Sequence, residues 1–191
     1  MTSQFVFLRN KLIAILLPML FVLLGTFAVQ ATTTITVQPT SPSIKTGAEA
    51  SFLVTIHNGG SVQQVVSLNW YGNVTVISAT RNGVRLNLRS AQIVFDDDLF
   101  SALRASLKPL PAGREERFNY VTERDPVTGA QSIVTVARLP SLQYRASYWA
   151  IEAPGKYVFS LRYQYTAGTK TPTSSLLTQP LYARVSFEVR P

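Results

Sequence analysis

The sequence predicts an all-β fold, an antiparallel β-sandwich of about seven to nine strands with one short helix. Apolar and polar residues alternate with a period of two through several segments, and turn-forming residues separate these segments. The chain has 191 residues, of which 46 % are hydrophobic and 15 % are charged. This composition excludes a disordered chain, and the length favours one domain with a short appendage.

The first 31 residues predict a secretory signal that precedes the folded domain. Arg9 and Lys11 stand before an uncharged apolar run over residues 12–29, and Val29 and Ala31 supply the small residues of a cleavage site. The run is 18 residues long, near the lower limit for a membrane span, so an uncleaved signal anchor is the alternative. Both interpretations export residues 32–191 as one domain. Cleavage would remove Arg9 and Lys11 and lower the net charge from +8 to +6.

Four segments carry the strand pattern most clearly, namely residues 49–57, 64–70, 157–165 and 182–189. In each segment alternate positions hold apolar residues, and most positions between them are polar. This alternation is typical of antiparallel strands that bury one face. The residues predicted to face the core are Ala50, Phe52, Val54, Ile56, Val66, Leu68, Trp70, Tyr157, Phe159, Leu161, Tyr163, Tyr165, Ala183, Val185, Phe187 and Val189.

Short turn sequences separate the predicted strands. Asn82 and Gly83 predict a type I′ hairpin turn, because both residue types tolerate positive φ angles. A second turn is predicted over residues 125–129, where Asp, Pro and Gly occur together. Pro154 and Gly155 open the strand that follows them.

One segment, residues 97–107, has the spacing of a helix. The run from Asp96 to Asp98 supplies the negative charge that a helix N-terminus favours, and Pro109 and Pro111 end the helix. Ca²⁺ binding is an alternative role for these carboxylates, but three consecutive residues of a regular helix cannot converge on one ion. The apolar residues at helical spacing are Leu99, Phe100, Leu103 and Leu107.

The order of the turn motifs carries a family resemblance. Arg81-Asn82-Gly83-Val84 forms a hairpin motif, Leu110-Pro111-Ala112-Gly113 precedes a strand, and Ala153-Pro154-Gly155-Lys156-Tyr157 leads into another. This order resembles immunoglobulin-like domains of exported bacterial proteins, including domains attached to secreted metallopeptidases. The resemblance covers residues 33–189. It implies an immunoglobulin-like sandwich and a cell-envelope setting, and it carries over no catalytic residue.

The residue inventory excludes several chemistries. The chain has no Cys and one His, which excludes disulfides, thiolate zinc sites and zinc sites with several His ligands. His57 ends a predicted strand on its polar face, so we expect a solvated side chain. No nucleophile-elbow, zinc-protease or phosphate-loop motif occurs. We therefore expect no catalytic residue, no metal and no cofactor. Asn73-Val74-Thr75 is a glycosylation sequon that we expect to be unused.

Two clusters are candidates for a binding surface. Arg binds carboxylates and phosphates through two parallel hydrogen bonds, and exposed Tyr, Trp and Arg form hot spots or sugar-stacking platforms. The alternatives are a solvated basic strand face and aromatic rings that close the core. The candidate residues are Arg81, Arg85 and Arg89 in the first cluster, and Tyr144, Arg145, Tyr148 and Trp149 in the second.

These observations predict an exported, non-enzymatic binding or assembly module of the bacterial cell envelope that recognises a protein partner. A carbohydrate-binding module, a secreted peptidase inhibitor and an unrecognised hydrolase are the alternatives. We expect a secreted, periplasmic or cell-surface protein that binds an envelope protein or a glycan. We expect no nucleic-acid partner, and membrane contact only through an uncleaved residue 12–29 segment. Strand edges at residues 33–37 and 182–189 are candidates for strand addition.

Overall fold

A computed structural model describes residues 32–93, 98–138, 144–165 and 175–191. The described residues are predominantly β, with one helix, α1 (Asp98–Ala105). They form fourteen strands, more than the predicted seven to nine, because several are only two to four residues long and an unpredicted sheet is present. The strands are β1 (Thr33–Pro39), β2 (Ser43–Lys45), β3 (Ser51–Asn58), β4 (Gln64–Ser67), β5 (Val74–Arg81), β6 (Val84–Arg85), β7 (Arg89–Ile93), β8 (Leu107–Leu110), β9 (Glu115–Val121), β10 (Glu123–Arg124), β11 (Gln131–Arg138), β12 (Tyr144–Ala150), β13 (Gly155–Tyr163) and β14 (Leu181–Arg190).

Two sheets form a β-sandwich. The three-stranded sheet has the order β1-β3-β9, and the five-stranded sheet has the order β2-β14-β13-β5-β6. Their inner faces share one apolar core, in which Phe52 of β3 meets Phe187 of β14 edge-on at a ring-centroid distance of 5.4 Å. The predicted all-β sandwich is therefore confirmed.

The alternation that predicted the strands is also the alternation of burial. Along β13 the buried positions are Tyr157, Phe159, Leu161 and Tyr163, and the residues between them are at least partly exposed. β3 buries Phe52, Val54 and Ile56 in the same way. Within the segment 64–70 only β4 is a strand, and Trp70 is buried in the loop that follows it.

The N-terminal strands take part in both sheets of the sandwich. β1 pairs antiparallel with β3, and after a short turn β2 pairs in parallel with β14. Residues of β1 also lie within 8 Å of residues of β14, measured between Cα atoms. Face-to-face sheets lie about 10 Å apart, so Cα distances below 8 Å mean that β1 and β14 approach each other more closely than the two sheets do. This approach is at one side of the sandwich, where each strand limits access to the free edge of the other.

A third sheet with the order β10-β11-β12-β7 joins the sandwich near β5. Helix α1 packs on this sheet through Leu99 and Leu103 and forms a second apolar cluster with Val134, Val136 and Tyr144. The helix is shorter than predicted. It ends at Ala105, before the prolines, and β8 then pairs with β4.

Gly72 allows the close approach of helix α1. Its φ is +79°, a conformation that other residues rarely adopt. A Cβ atom at this position would lie 2.8 Å from Leu103 Cδ1. A larger residue would therefore meet both backbone strain and a clash with the helix.

The predicted turns are confirmed. Asn82 and Gly83 have φ values of 51° and 82° and connect β5 to β6, as a type I′ turn requires. Residues 125–129 form a closed turn in which the Gly129 N–H donates to the Asp125 carbonyl at 2.8 Å.

The predicted signal, residues 1–31, lies outside the described residues, as do Asp96 and Asp97. The signal therefore stays a prediction. In the part of the chain that the structure describes, no helix combines the length and apolar character needed to span a membrane.

Candidate functional site

The structure brings part of the two predicted clusters together. Arg89 of β7 lies directly opposite Tyr148 of β12, and the Arg89 guanidinium carbon lies 4.3 Å from the Tyr148 ring centroid. Arg81 and Arg85 lie elsewhere, at the β5–β6 hairpin of the five-stranded sheet. The seven residues therefore do not form one surface.

The exposed aromatic platform is wrong for Tyr144, Tyr148 and Trp149, and the alternative, rings buried in the core, is confirmed. Their exposed fractions are 1 %, 9 % and 6 %. Tyr144 and Tyr148 pack in the cluster with helix α1, whereas Trp149 points to the other face of β12 and joins the sandwich core. The rings are buried because this end of the sheet is covered on both faces. Of the second cluster, only Arg145 is exposed.

Arg89 has a structural partner that the sequence did not reveal. Its Nε and Nη2 atoms donate to the two carboxylate oxygens of Asp125, which also accepts the Val127 N–H at 2.9 Å. Burial of Asp125 opposes ionisation, but the hydrogen bonds from Arg89 and the turn outweigh it and hold the pKa of Asp125 below its ordinary value. The charge of Arg89 is therefore used to fix the 125–129 turn to β7.

The structure also shows the surroundings of His57 and Asn73. His57 is exposed at the end of β3, as expected. The Asn73 side chain is buried, and its Nδ2 donates to Ser67 Oγ and to the Asn69 carbonyl, so this sequon is inaccessible in the folded domain. Among the described residues, no group of three His, Asp or Glu side chains could hold a metal ion.

A groove of about 460 Å³ lies along β9. One wall is formed by residues 68–71 and the other by residues 118–123, with Glu49 at one end. Six consecutive residues of the second wall contribute, although side chains alternate between the two faces of a strand. The groove therefore follows the edge of β9 rather than either of its faces.

The backbone of β9 has free hydrogen-bonding capacity along this edge. Thr122 N donates to the Ala50 carbonyl and Asn58 N donates to the Arg114 carbonyl, in an unbroken antiparallel register. Because bonded and non-bonded pairs alternate, the even-numbered residues of β9 direct their backbone groups towards β3. Arg117, Asn119 and Val121 therefore direct theirs away from it. Among the described strands, β9 pairs only with β3.

The groove has an aromatic floor and an acidic end. Trp70 stacks on Tyr120 with ring centroids 4.0 Å apart, and Val121 is 41 % exposed beside them. Glu49 and Glu123 lie at the end, and neither belongs to an ion pair within the described residues. Partial burial raises the pKa of Glu123. The groove therefore presents apolar surface, unpaired backbone groups and uncompensated negative charge.

Comparisons with known proteins identify no family. No protein-family model matches the chain, and no curated protein matches it. Among solved structures, the chain is similar to an ASH/PapD-like domain of human CEP192, with 11 % identity over 86 % of this chain and 89 % of that one and a TM-score of 0.27. It is also similar to BslA, a bacterial hydrophobin, with 14 % identity over 85 % of this chain and 98 % of that one and a TM-score of 0.26. Scores this low do not define a shared fold family.

Proposed function

We propose that the chain is an exported, non-enzymatic, immunoglobulin-like assembly module that receives an extended segment of a protein partner at the open edge of β9. The combination of a free strand edge and a groove beside it carries this proposal. Export is supported by Arg9, Lys11 and the apolar run at residues 12–29. The cell-envelope location is part of the proposal, and it is supported by the predicted export signal and by the resemblance to domains of exported bacterial proteins.

The strand order supports the immunoglobulin-like assignment. In immunoglobulin domains of the constant type, one sheet has the order A-B-E-D, and the other carries G, F and C, to which variable domains add C′. Here β1-β3-β9 corresponds to A-B-E, and β14-β13-β5-β6 corresponds to G-F-C-C′. Strand D has no counterpart beside β9 in the described residues. The position of the missing strand is the position of the groove.

Two local features support the same assignment. Tyr157 is buried near the start of β13, the counterpart of strand F, and its hydroxyl donates to the Ala153 carbonyl at 2.8 Å. This arrangement resembles the tyrosine corner of immunoglobulin domains. Trp70 is buried just before β5, the counterpart of strand C, where immunoglobulin domains place a core tryptophan.

The groove chemistry defines the segment that would bind. An added strand would pair its backbone with Arg117, Asn119 and Val121, as in other cases of β-strand addition. Its alternate side chains would contact the apolar wall near Val121. A Lys or Arg at the end near Glu49 and Glu123 would compensate their charges. We therefore expect a short, extended, apolar segment with a basic residue at one end.

Two variants of Asn119 test the proposal. Asn119→Pro removes an N–H that points away from β3, so it blocks strand addition without removing a bond of the existing sheet. Asn119→Ala trims the same side chain and keeps the N–H. A random-peptide display library would be selected on the full chain in detergent micelles. We expect the selected peptides to bind the wild type and Asn119→Ala, with at least tenfold weaker binding to Asn119→Pro.

Amide hydrogen exchange provides the second measurement. Bound peptide should slow exchange at Arg117, Asn119 and Val121, while the amides of the even-numbered residues of β9 are already protected by β3 in the free protein. Peptides that bind all three forms equally, or that leave these three amides unprotected, would contradict strand addition at β9.

A further inference from the structure

The five-stranded sheet has an outer face with unusual composition, which we call the basic face. It comprises Ile77, Arg85, Arg162, Tyr182 and Arg184, all on the side opposite the core. Tyr182 is 63 % exposed and Ile77 is 52 % exposed. Arg85 and Arg184 are also exposed, so the face is accessible to a partner.

The strand register brings these side chains together. Arg162 of β13 lies directly opposite Tyr182 of β14, and Arg184 lies opposite Ser160. Arg162 and Arg184 are therefore diagonal neighbours, a relation in which Cα atoms are about 7–8 Å apart. On the other side of β13, β5 has a register shift beside Ser160, and Ile77 is the extra residue of the bulge. The bulge leaves an apolar side chain exposed next to the two arginines.

The charge of the basic face is not neutralised within the described residues. Arg85, Arg162 and Arg184 belong to no ion pair there. The acidic residue on the same face is Glu188, which already binds Arg190. Nε of Arg162 is buried and has no hydrogen-bond partner in the described part of the chain. Two guanidinium groups at this spacing, without a carboxylate partner among the described residues, favour the binding of an anionic partner.

We propose that the basic face is a second recognition surface, separate from the β9 groove, and that it binds an acidic protein segment. The two neighbouring guanidinium groups, with Ser160 opposite Arg184 and Thr75 opposite Arg162, present hydrogen-bond donors, which suit carboxylates. Tyr182 and Ile77 are exposed beside these arginines. This combination is typical of protein–protein hot spots, where apolar contact accompanies the charged pairs. This apolar component distinguishes an acidic protein segment from a purely anionic glycan or lipid surface.

The test uses two eight-residue peptides on the full chain in neutral detergent micelles. One peptide alternates Glu with Leu, and the other alternates Glu with Ser, so both carry the same charge. We expect the Glu-Leu peptide to bind more tightly, by at least fivefold. The double variant Arg162→Gln/Arg184→Gln should weaken its binding at least tenfold. Tyr182→Ala should reduce the preference for Leu over Ser.

A charge-matched control separates the site from general attraction. Lys108→Gln/Arg114→Gln lowers the net charge by the same amount at exposed positions away from this face. We expect less than a twofold effect on peptide binding. If Arg162→Gln/Arg184→Gln fails to fold, Arg85→Gln/Arg184→Gln replaces it in the test. Equal losses of peptide binding in Arg162→Gln/Arg184→Gln and in Lys108→Gln/Arg114→Gln would overturn the proposal. Absence of peptide binding to the wild type would also overturn it. A third contradicting result is binding to heparin or to phosphatidylglycerol vesicles that depends on Arg162 and Arg184, without binding of the Glu-Leu peptide.

Discussion

The sandwich and the appended region, which comprises β7, β10, β11, β12 and helix α1, are stabilised in different ways. In the sandwich, Tyr157, Phe159 and Phe187 form an aromatic triad with near-parallel rings and centroid distances of 5.6–6.4 Å. Removal of apolar area from water is the main stabilising contribution there. The appended region has an apolar cluster of its own and contributes Ile133 and Trp149 to the sandwich core, and directional polar bonds also join it to the sandwich.

These polar bonds converge on one strand. Trp70 Nε1 donates to the Val134 carbonyl at 2.7 Å, and the Val134 N–H donates to Tyr120 Oη at 2.6 Å. Gly72 N donates to the Val136 carbonyl at 3.0 Å. Hydrogen bonds fix position more narrowly than apolar contact does. We therefore expect the sandwich to determine how stable the domain is, and the polar bonds to determine where the appended region sits.

The largest effect should come from the centre of the sandwich. Phe159 is fully buried, and Phe159→Ala removes a ring from the aromatic triad. We expect a loss of about 3–5 kcal/mol in the free energy of unfolding, as for other buried aromatic residues replaced by Ala. Urea denaturation followed by tryptophan fluorescence measures it. Phe159→Leu, which keeps most of the buried volume, should cost clearly less, and equal losses would argue against packing as the cause.

A smaller and more local effect is expected at the junction. Trp70→Phe keeps a ring to stack on Tyr120 and removes the hydrogen bond to Val134, whose carbonyl then remains buried without that donor. We expect a loss of about 1–3 kcal/mol. Amide exchange should accelerate in β11 and β12 more than in β13 and β14. Uniform acceleration across both pairs of strands would show that the two regions respond as one unit.

The smallest effect should depend on pH. The pKa of Asp125 is held low, so its ion pair with Arg89 stabilises the fold above the unfolded-state value near 3.9 and loses this contribution as the pH falls through the folded-state value. Asp125→Asn should therefore be less stable than the wild type at pH 7, and the difference should narrow towards pH 3. Urea denaturation at a series of pH values checks this expectation.

An exposed ion pair provides the control for Asp125. Glu188→Gln removes the partner of Arg190 at the surface, where such pairs contribute little. Its stability should track the wild type across the same pH range. Glu123, whose raised pKa acts in the opposite direction, is present in all three proteins and cancels in the comparison. A constant difference between Asp125→Asn and the wild type would argue against a titrating ion pair.

Sequence patterns predicted the sandwich strands well because each of these strands buries one face. Period-two alternation then maps directly onto burial, as in β13 and β3. Tyr148 and Trp149 are adjacent and both buried, which bears out the alternative that these rings close the core. Their strand is covered on both faces, so alternation carries no information about exposure there.

The candidate site was harder to predict than the fold. The pairing of Arg89 with Asp125 joins residues 36 positions apart, and no local pattern indicates it. The edge of β9 is open because no second strand pairs with β9 among the described residues, and strand order is a property of the whole topology. The basic face had a partial signal in the sequence, since Arg162 and Arg184 lie on the polar positions of two strands whose alternation was recognised.

The pairing of β2 with β14 sets the order in which the domain can be completed. β1 pairs with β3 across 13 to 25 positions of sequence, but Ser43 pairs with Glu188 near the end of the described chain. Contacts this distant in sequence form late and slow folding. Of the described strands, β14 is also the last to be synthesised. The five-stranded sheet therefore remains incomplete until nearly the whole of the described chain is available, so truncation before β14 should prevent this sheet from closing.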